Sequence, residues 1–203
     1  MDFSPLRRAL ESLSPLPDAD WALMLPLVAA RNVAAGQQIL RAGELATYTF
    51  FLRQGLLREY YADQEGTEAT RRFCQAGEFS GSLADLLSGR PALCSIETLE
   101  PSEIWTINWR DVDAISRRSA AWMLLLRRFA EILYLRKTER EFEMLMLPAA
   151  ERYRRFAAAI PALEERLPRI HVASYLGITP VHLSRIRGRG KSRRAAAATR
   201  KRN

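Results

Sequence analysis

The spacing of apolar positions changes twice along the chain. Over residues 5–30 it is helical: Leu6, Leu10 and Leu13 stand at i, i+4 and i+7, and a second apolar set covers 21–28 beyond Pro15 and Pro17. From Val33 the pattern shortens. Glycines at 43, 55, 66, 77 and 89 separate runs rich in aromatic and β-branched residues, at 47–52, 56–61, 69–74, 93–99 and 103–107. Short strands at that spacing predict an antiparallel barrel or sandwich. Leu57, Glu59, Tyr61 and Ala69, Arg71, Phe73 show the partial alternation of a sheet with one wet face.

After Trp109 the period is helical again. Asp111 is placed to cap a short helix whose apolar residues are Val112 and Ile115. Residues 120–147 contain neither Gly nor Pro and are dense in Leu, Arg and Glu. Up to Leu135 this helix is apolar on nearly every side, so one partner surface cannot cover it. Packing on its own β-domain and on the same helix of a second copy satisfies both sides, and Leu125, Phe129, Ile132 and Arg136 are the expected dimer contacts; a long core helix in a monomer is the alternative. Pro148 ends the helix, and a shorter one follows with Tyr153, Phe156 and Ile160 on one stripe and Glu151–Arg155 as an i, i+4 ion pair.

Residues 170–187 carry the densest set of signals. Val172 and Leu176 make one apolar face, Ala173 is small where a second helix must come close, and Gly177 supplies the positive φ that stops a helix. Thr179 is an N-cap, Pro180 suits the first helical position, and Ile178 with Leu183 can form a hydrophobic staple. With Leu183 and Ile186 turned inward, Val181, Ser184 and Arg185 point out and His182 and Arg187 flank them. Two short helices about a glycine turn, the second basic on its open face, predict a DNA-reading helix-turn-helix; a plain helical hairpin inside a core is the competing reading. Arg185 can donate two hydrogen bonds to guanine O6 and N7, Val181 can pack on a thymine methyl, Ser184 is permissive, and Thr179 with the helix-start amides suits a phosphate.

Charge strengthens this picture. The net charge of +8 is uneven: residues 166–203 hold eleven Lys/Arg and no acid, while 1–165 carry a net −3. That asymmetry points to a polyanion, nucleic acid before membrane surface, with a solubilising tail as the bland alternative. At 48% hydrophobic and 27% charged, the 203 residues can build a packed core. Both cysteines, Cys74 and Cys94, lie among apolar neighbours without a CxxC or Cys/His cluster, so neither a disulfide scaffold nor a metal site is expected. The longest apolar stretch, 21–30, has ten residues and includes Pro26, too short for a membrane helix, and the N-terminus lacks a secretory pattern. A soluble, cytoplasmic protein without cofactor is expected. No Walker loop, Gly-x-Ser-x-Gly, HExxH or dinucleotide fingerprint supports an enzyme.

A β-roll, a long helix and a C-terminal helix-turn-helix, in that order, resemble the Crp/Fnr family of bacterial transcription regulators over about residues 20–187. The best motif is Ala173-Ser-Tyr-Leu-Gly-Ile-Thr-Pro-Val-His-Leu-Ser-Arg-Ile-Arg187, and Gly77-Glu78-Phe79-Ser80-Gly81 resembles the start of the family's phosphate-binding cassette. The resemblance implies an α+β protein: an antiparallel jelly roll of the cyclic-nucleotide-binding type with N-terminal helices (1–119), a dimerisation helix (120–147) and a helix-turn-helix domain (148–188). It implies a homodimer on palindromic double-stranded DNA, with RNA polymerase as a further partner and a small-molecule effector of unknown identity. The expected pocket residues are Gly77, Glu78, Gly81, Ser82 and Arg90.

Two departures shape the expectation. Where cyclic-nucleotide-binding relatives place a Glu for the ribose, this chain has Ser82, and where they place an Arg-Ser or Arg-Thr pair for the phosphate it has Ala92 and Leu93, with Arg90 two positions early. The pocket is therefore read as disabled for a cyclic phosphate. Iron–sulfur relatives need an N-terminal Cys cluster and haem relatives a roll ligand such as His, and neither is present. After the recognition helix the family's wing is missing, and 189–203 read as a disordered basic tail. The rival reading is an effector-responsive or protein-docking module whose basic end binds RNA or acidic lipid.

Overall fold

A computed structural model describes residues 1–161, 163 and 165–188. The chain divides into two units, Met1–Arg136 and the part that starts at Lys137, with the division inside a helix. The disordered tail and missing wing expected over 189–203 lie outside the described residues.

The first unit opens with α1 (Ser4–Glu11), α2 (Asp18–Met24) and a 3-10 turn (Leu25–Leu27). The helical pattern expected over 5–30 is thus interrupted between α1 and α2, where Pro15 and Pro17 stand, and it stops early: Val28 is already extended. Eight strands follow: β1 (Ala29–Val33), β2 (Gln38–Leu40), β3 (Tyr48–Gln54), β4 (Leu56–Ala62), β5 (Glu68–Gln75), β6 (Phe79–Ser80), β7 (Ser95–Thr98) and β8 (Ser102–Asn108). They form two antiparallel four-stranded sheets, β1-β8-β3-β6 and β2-β7-β4-β5. A short helix, α3 (Leu83–Ser88), interrupts the roll between β6 and β7.

One apolar core, with Leu40, Phe50, Leu52, Leu57, Cys74, Ile96 and Ile104, lies between the sheets. A second joins the other side of the first sheet, through Phe51, Trp105 and Ile107, to α1, α2 and the start of α5 (Ala120–Met146), through Leu6, Leu10, Trp21, Met24, Trp122 and Leu125. Strand β3 is therefore buried on both faces, which its run of aromatic and apolar residues permits. Each such side chain contributes about 1.5–3 kcal/mol on burial.

The wet face expected for β4 is absent. Residues 56–60 are all buried, including Arg58 and Glu59 at 1% exposure each. Arg58 is covered by its own partners: Nε donates to Thr70 Oγ1 at 2.9 Å, Nη1 pairs with Glu97 at 2.8 Å and Nη2 with Glu68 at 2.7 Å, and the Tyr60 ring lies 4.3 Å away. Glu59 accepts a hydrogen bond from Ser80 Oγ at 2.8 Å and faces Arg71 and Arg72. Paired charges tolerate this burial where lone ones do not.

Beyond the roll, α4 (Trp109–Ser116) is capped by Asn108, whose side chain accepts from Arg110 N at 2.9 Å, rather than by Asp111, which falls inside the first turn. In α5 the expected dimer contact Leu125 is 2% exposed and belongs to the unit's own core. Phe129 and Ile132 are half-buried and Arg136 is exposed.

The second unit contains the end of α5, α6 (Ala149–Ala159), α7 (Arg169–Tyr175) and a helix over 180–188, here α8. Its buried apolar side chains are Phe156, Leu163, Leu167, Val172, Ala173, Leu176 and Leu183. The Glu151–Arg155 pair forms at 3.6 Å. Among the described residues no helix is long and apolar enough to cross a membrane.

Candidate functional site

In the second unit, the joint between α7 and α8 is built from backbone first. Ile178 N donates to Ala173 O and Gly177 N to Ser174 O, both at 3.0 Å, with Gly177 at φ +64°. This pair of bonds closes a helix in the manner that a glycine at that position allows. Thr179 then starts α8: its Oγ1 accepts from His182 N at 3.2 Å and its carbonyl from Leu183 N at 3.0 Å. Leu183 turns inward at 1% exposure, and Val172, Ala173 and Leu176 beneath it are fully buried.

The opposite face of α8 is open. Thr179, Val181, His182, Ser184 and Arg185 are exposed, Val181 by 62%. Thr179, Val181, His182 and Arg185 line one shallow depression with Ile186. An arginine, an apolar side chain and a capped helix start on one open face offer what groove and phosphate contacts require. Arg187 is placed differently: it is half-buried, with its guanidinium 5.8 Å from the Tyr153 ring of α6.

In the first unit, the cassette between β5 and α3 is internally bonded. Gly77 N donates to Leu52 O at 2.7 Å, and Glu78 accepts from Gln75 N at 2.9 Å while lying 3.6 Å from Arg72. Past Gly81, buried Ser82 donates through Oγ to Asp85, whose carboxylate also accepts from Leu93 N at 3.2 Å. Ala92 is buried and Leu93 is 73% exposed, whereas Arg90 is exposed with its amide bonded to Ser88 Oγ at 3.3 Å.

A cation that the sequence pattern did not single out stands beside Ser82's neighbours. A register shift between Glu59 and Tyr60 leaves Arg71 opposite no residue of β4. Its Nη1 lies 3.4 Å from Glu59 and donates to Cys94 Sγ at 3.6 Å. Burial pushes the Cys94 thiol up from its ordinary value, and that of Cys74 well above it. The period-two reading includes Arg71 in the alternation of β5, but the bulge that sets it beside Glu59 and Cys94 is invisible to such a reading. Among the described residues no group of three His, Cys, Asp or Glu could hold a metal ion.

Residues 30–119 match the family model of the cyclic nucleotide-binding domain. The cyclic nucleotide-binding match runs from β1 through the roll and α4, stopping just before α5. Among curated proteins none matches by sequence. Solved structures with the same fold include the catabolite activator protein of Thermus thermophilus, 22% identical over 91% of this chain and 87% of that one, with a TM-score of 0.57. The c-di-GMP responsive global regulator CLP of Xanthomonas campestris is 14% identical over 87% and 92%, with a TM-score of 0.68. FixK2 of Bradyrhizobium japonicum is 17% identical over 82% and 85%, also at 0.68. At these identities the likeness is one of fold.

Proposed function

We propose that the protein is a sequence-specific DNA-binding transcription regulator of the Crp/Fnr type, a homodimer on palindromic sites. The α7–α8 pair is its helix-turn-helix, and its roll responds to an effector other than cyclic AMP or to none. The observation that carries the reading is the open face of α8, where Thr179, Val181, His182, Ser184 and Arg185 stand exposed on a helix that buries Leu183 on its other side. Arg185 reads guanine O6 and N7, Val181 meets a thymine methyl, and Thr179 with the first amides of α8 holds a phosphate. Arg187, leaning on Tyr153, has a supporting role. The basic excess of residues 166–203 adds affinity for any duplex.

A homodimer fits the same reading, because two half-sites multiply weak contacts. Leu124, Tyr134 and Leu135 of α5 are 40%, 70% and 65% exposed, an apolar surface that the single chain leaves uncovered. Among the similar structures, one is named an activator protein and another a global regulator. Selection of binding sites from a random duplex library by the purified protein tests the reading. Recovery of an inverted repeat supports it, whereas equal binding to duplex, single strands and anionic vesicles overturns it.

A further inference from the structure

Four carbonyls at the end of any α-helix lack an intrahelical donor. For α7 these belong to Ala173, Ser174, Tyr175 and Leu176, and each has a partner in the second unit. The turn amides of Ile178 and Gly177 satisfy the first two. The other two are taken by arginines from different helices. Arg140 of α5 donates through Nη2 to Tyr175 O, its guanidinium stacked 4.0 Å from the Tyr175 ring. Arg152 of α6 donates to Leu176 O through both Nε, at 3.1 Å, and Nη2, at 2.9 Å.

Arg152 also has a second set of acceptors. Its Nη1 donates to Leu147 O at 2.7 Å and lies 3.5 Å from Met144 O, the last carbonyls around the end of α5. One guanidinium therefore joins the negative ends of α5 and α7. The approach is close: a Cβ on Gly177 would lie 2.7 Å from Met144 Cε. Thr179, which begins the open face of α8, is three residues beyond Leu176.

We propose that Arg152, assisted by Arg140, is a positioning residue that fixes the α7–α8 turn to the end of the long helix, so that the placement of the reading face depends on this guanidinium bridge. The inference rests on the DNA-binding reading for its consequence, though not for its geometry. The planar fork serves Leu176 O and Leu147 O from different nitrogens, whereas a lysine has one nitrogen for both and lacks the fixed spread.

The test uses the full chain with Arg152→Lys and Arg152→Gln. Amide exchange at Gly177 and Ile178 is expected to speed up about tenfold or more, since charge-assisted hydrogen bonds of this kind are lost, while the amides of α6 keep their protection. Affinity for a duplex selected by the unmodified protein is expected to fall about ten- to a hundredfold in both variants, with binding to random duplex changed less than about twofold. Unchanged exchange at the turn, or lysine restoring both properties, would overturn the proposal. So would equal loss of both duplexes together with helical circular dichroism, which would mark Arg152 as needed only for folding. If the unmodified protein prefers no duplex, the DNA-binding reading fails and the exchange measurement alone still decides the bridge.

Discussion

Phe129 of the long helix meets Phe79 of the cassette strand edge-on, with ring centroids 5.7 Å apart and planes at 72°. Phe79 is in turn 5.2 Å from Phe51, and Phe51 is 5.5 Å from Trp105. An aromatic row thus runs from the first sheet through the cassette to α5. Phe129→Ala should destabilise the first unit by about 2–3 kcal/mol, less than a fully buried Phe because the ring is half-exposed. All four tryptophans lie in this unit, so denaturation followed by their fluorescence reads the loss directly. An unchanged midpoint would contradict the packing role.

The same row changes how the proposed dimer is best probed. Phe129 and Leu125 serve their own chain, so charging them would damage the roll first. Leu124 and Leu135 have no such duty. Leu124→Glu with Leu135→Glu should leave the unfolding midpoint of the roll in place and convert a species of twice the chain mass into single chains by sedimentation. An unmodified protein that sediments as a single chain at micromolar concentration would remove the dimer.

Legibility in the sequence followed the physics of each element. Five strands showed themselves because β3, β4, β5, β7 and β8 bury aromatic and branched side chains. Strands β1, β2 and β6 did not: β1 is largely exposed at an edge, and β2 and β6 have three and two residues. The α7–α8 joint was legible at Gly177, Thr179 and Pro180, which act through local backbone chemistry, but the placement of Arg187 beside Tyr153 was not. Long-range pairings were not. Arg58 and Glu59 are buried by partners 10 to 39 positions away, and exposed Arg71 meets Glu59 from the neighbouring strand; no local period encodes that.

Both thiols should resist modification in the native protein. Burial raises the Cys74 and Cys94 pKa values, so the reactive thiolate is scarce at neutral pH. The unfolded chain ionises these thiols at lower pH than the folded one, so their contribution favours folding below the ordinary thiol range and is lost as pH rises through and beyond it. A disulfide reagent at pH 8 should titrate neither cysteine until denaturant is added. Rapid reaction of Cys94 in native buffer would contradict its burial.

Cyclic AMP and cyclic GMP should not bind at micromolar concentration. Ser82 is committed to Asp85, Ala92 is buried and Leu93 offers no cation. Arg71 reaches this region through its bond to Cys94, but Glu59 already engages it. Titration calorimetry on the full protein should show no heat of binding. Micromolar binding abolished by Arg71→Ala or Arg90→Ala would show that one of these arginines replaces the missing cassette cation.

If the open face of α8 reads base sequence, as proposed, Arg185 is the side chain whose loss shows it most directly. Binding-site selection should be run in parallel on the unmodified protein and on Arg185→Ala. The first should yield an inverted repeat, and the second the same repeat with preference flattened at one guanine in each half, a loss of about 1–3 kcal/mol in discrimination there. Identical base preferences from the two proteins, or no enriched sequence from either, would contradict the proposal.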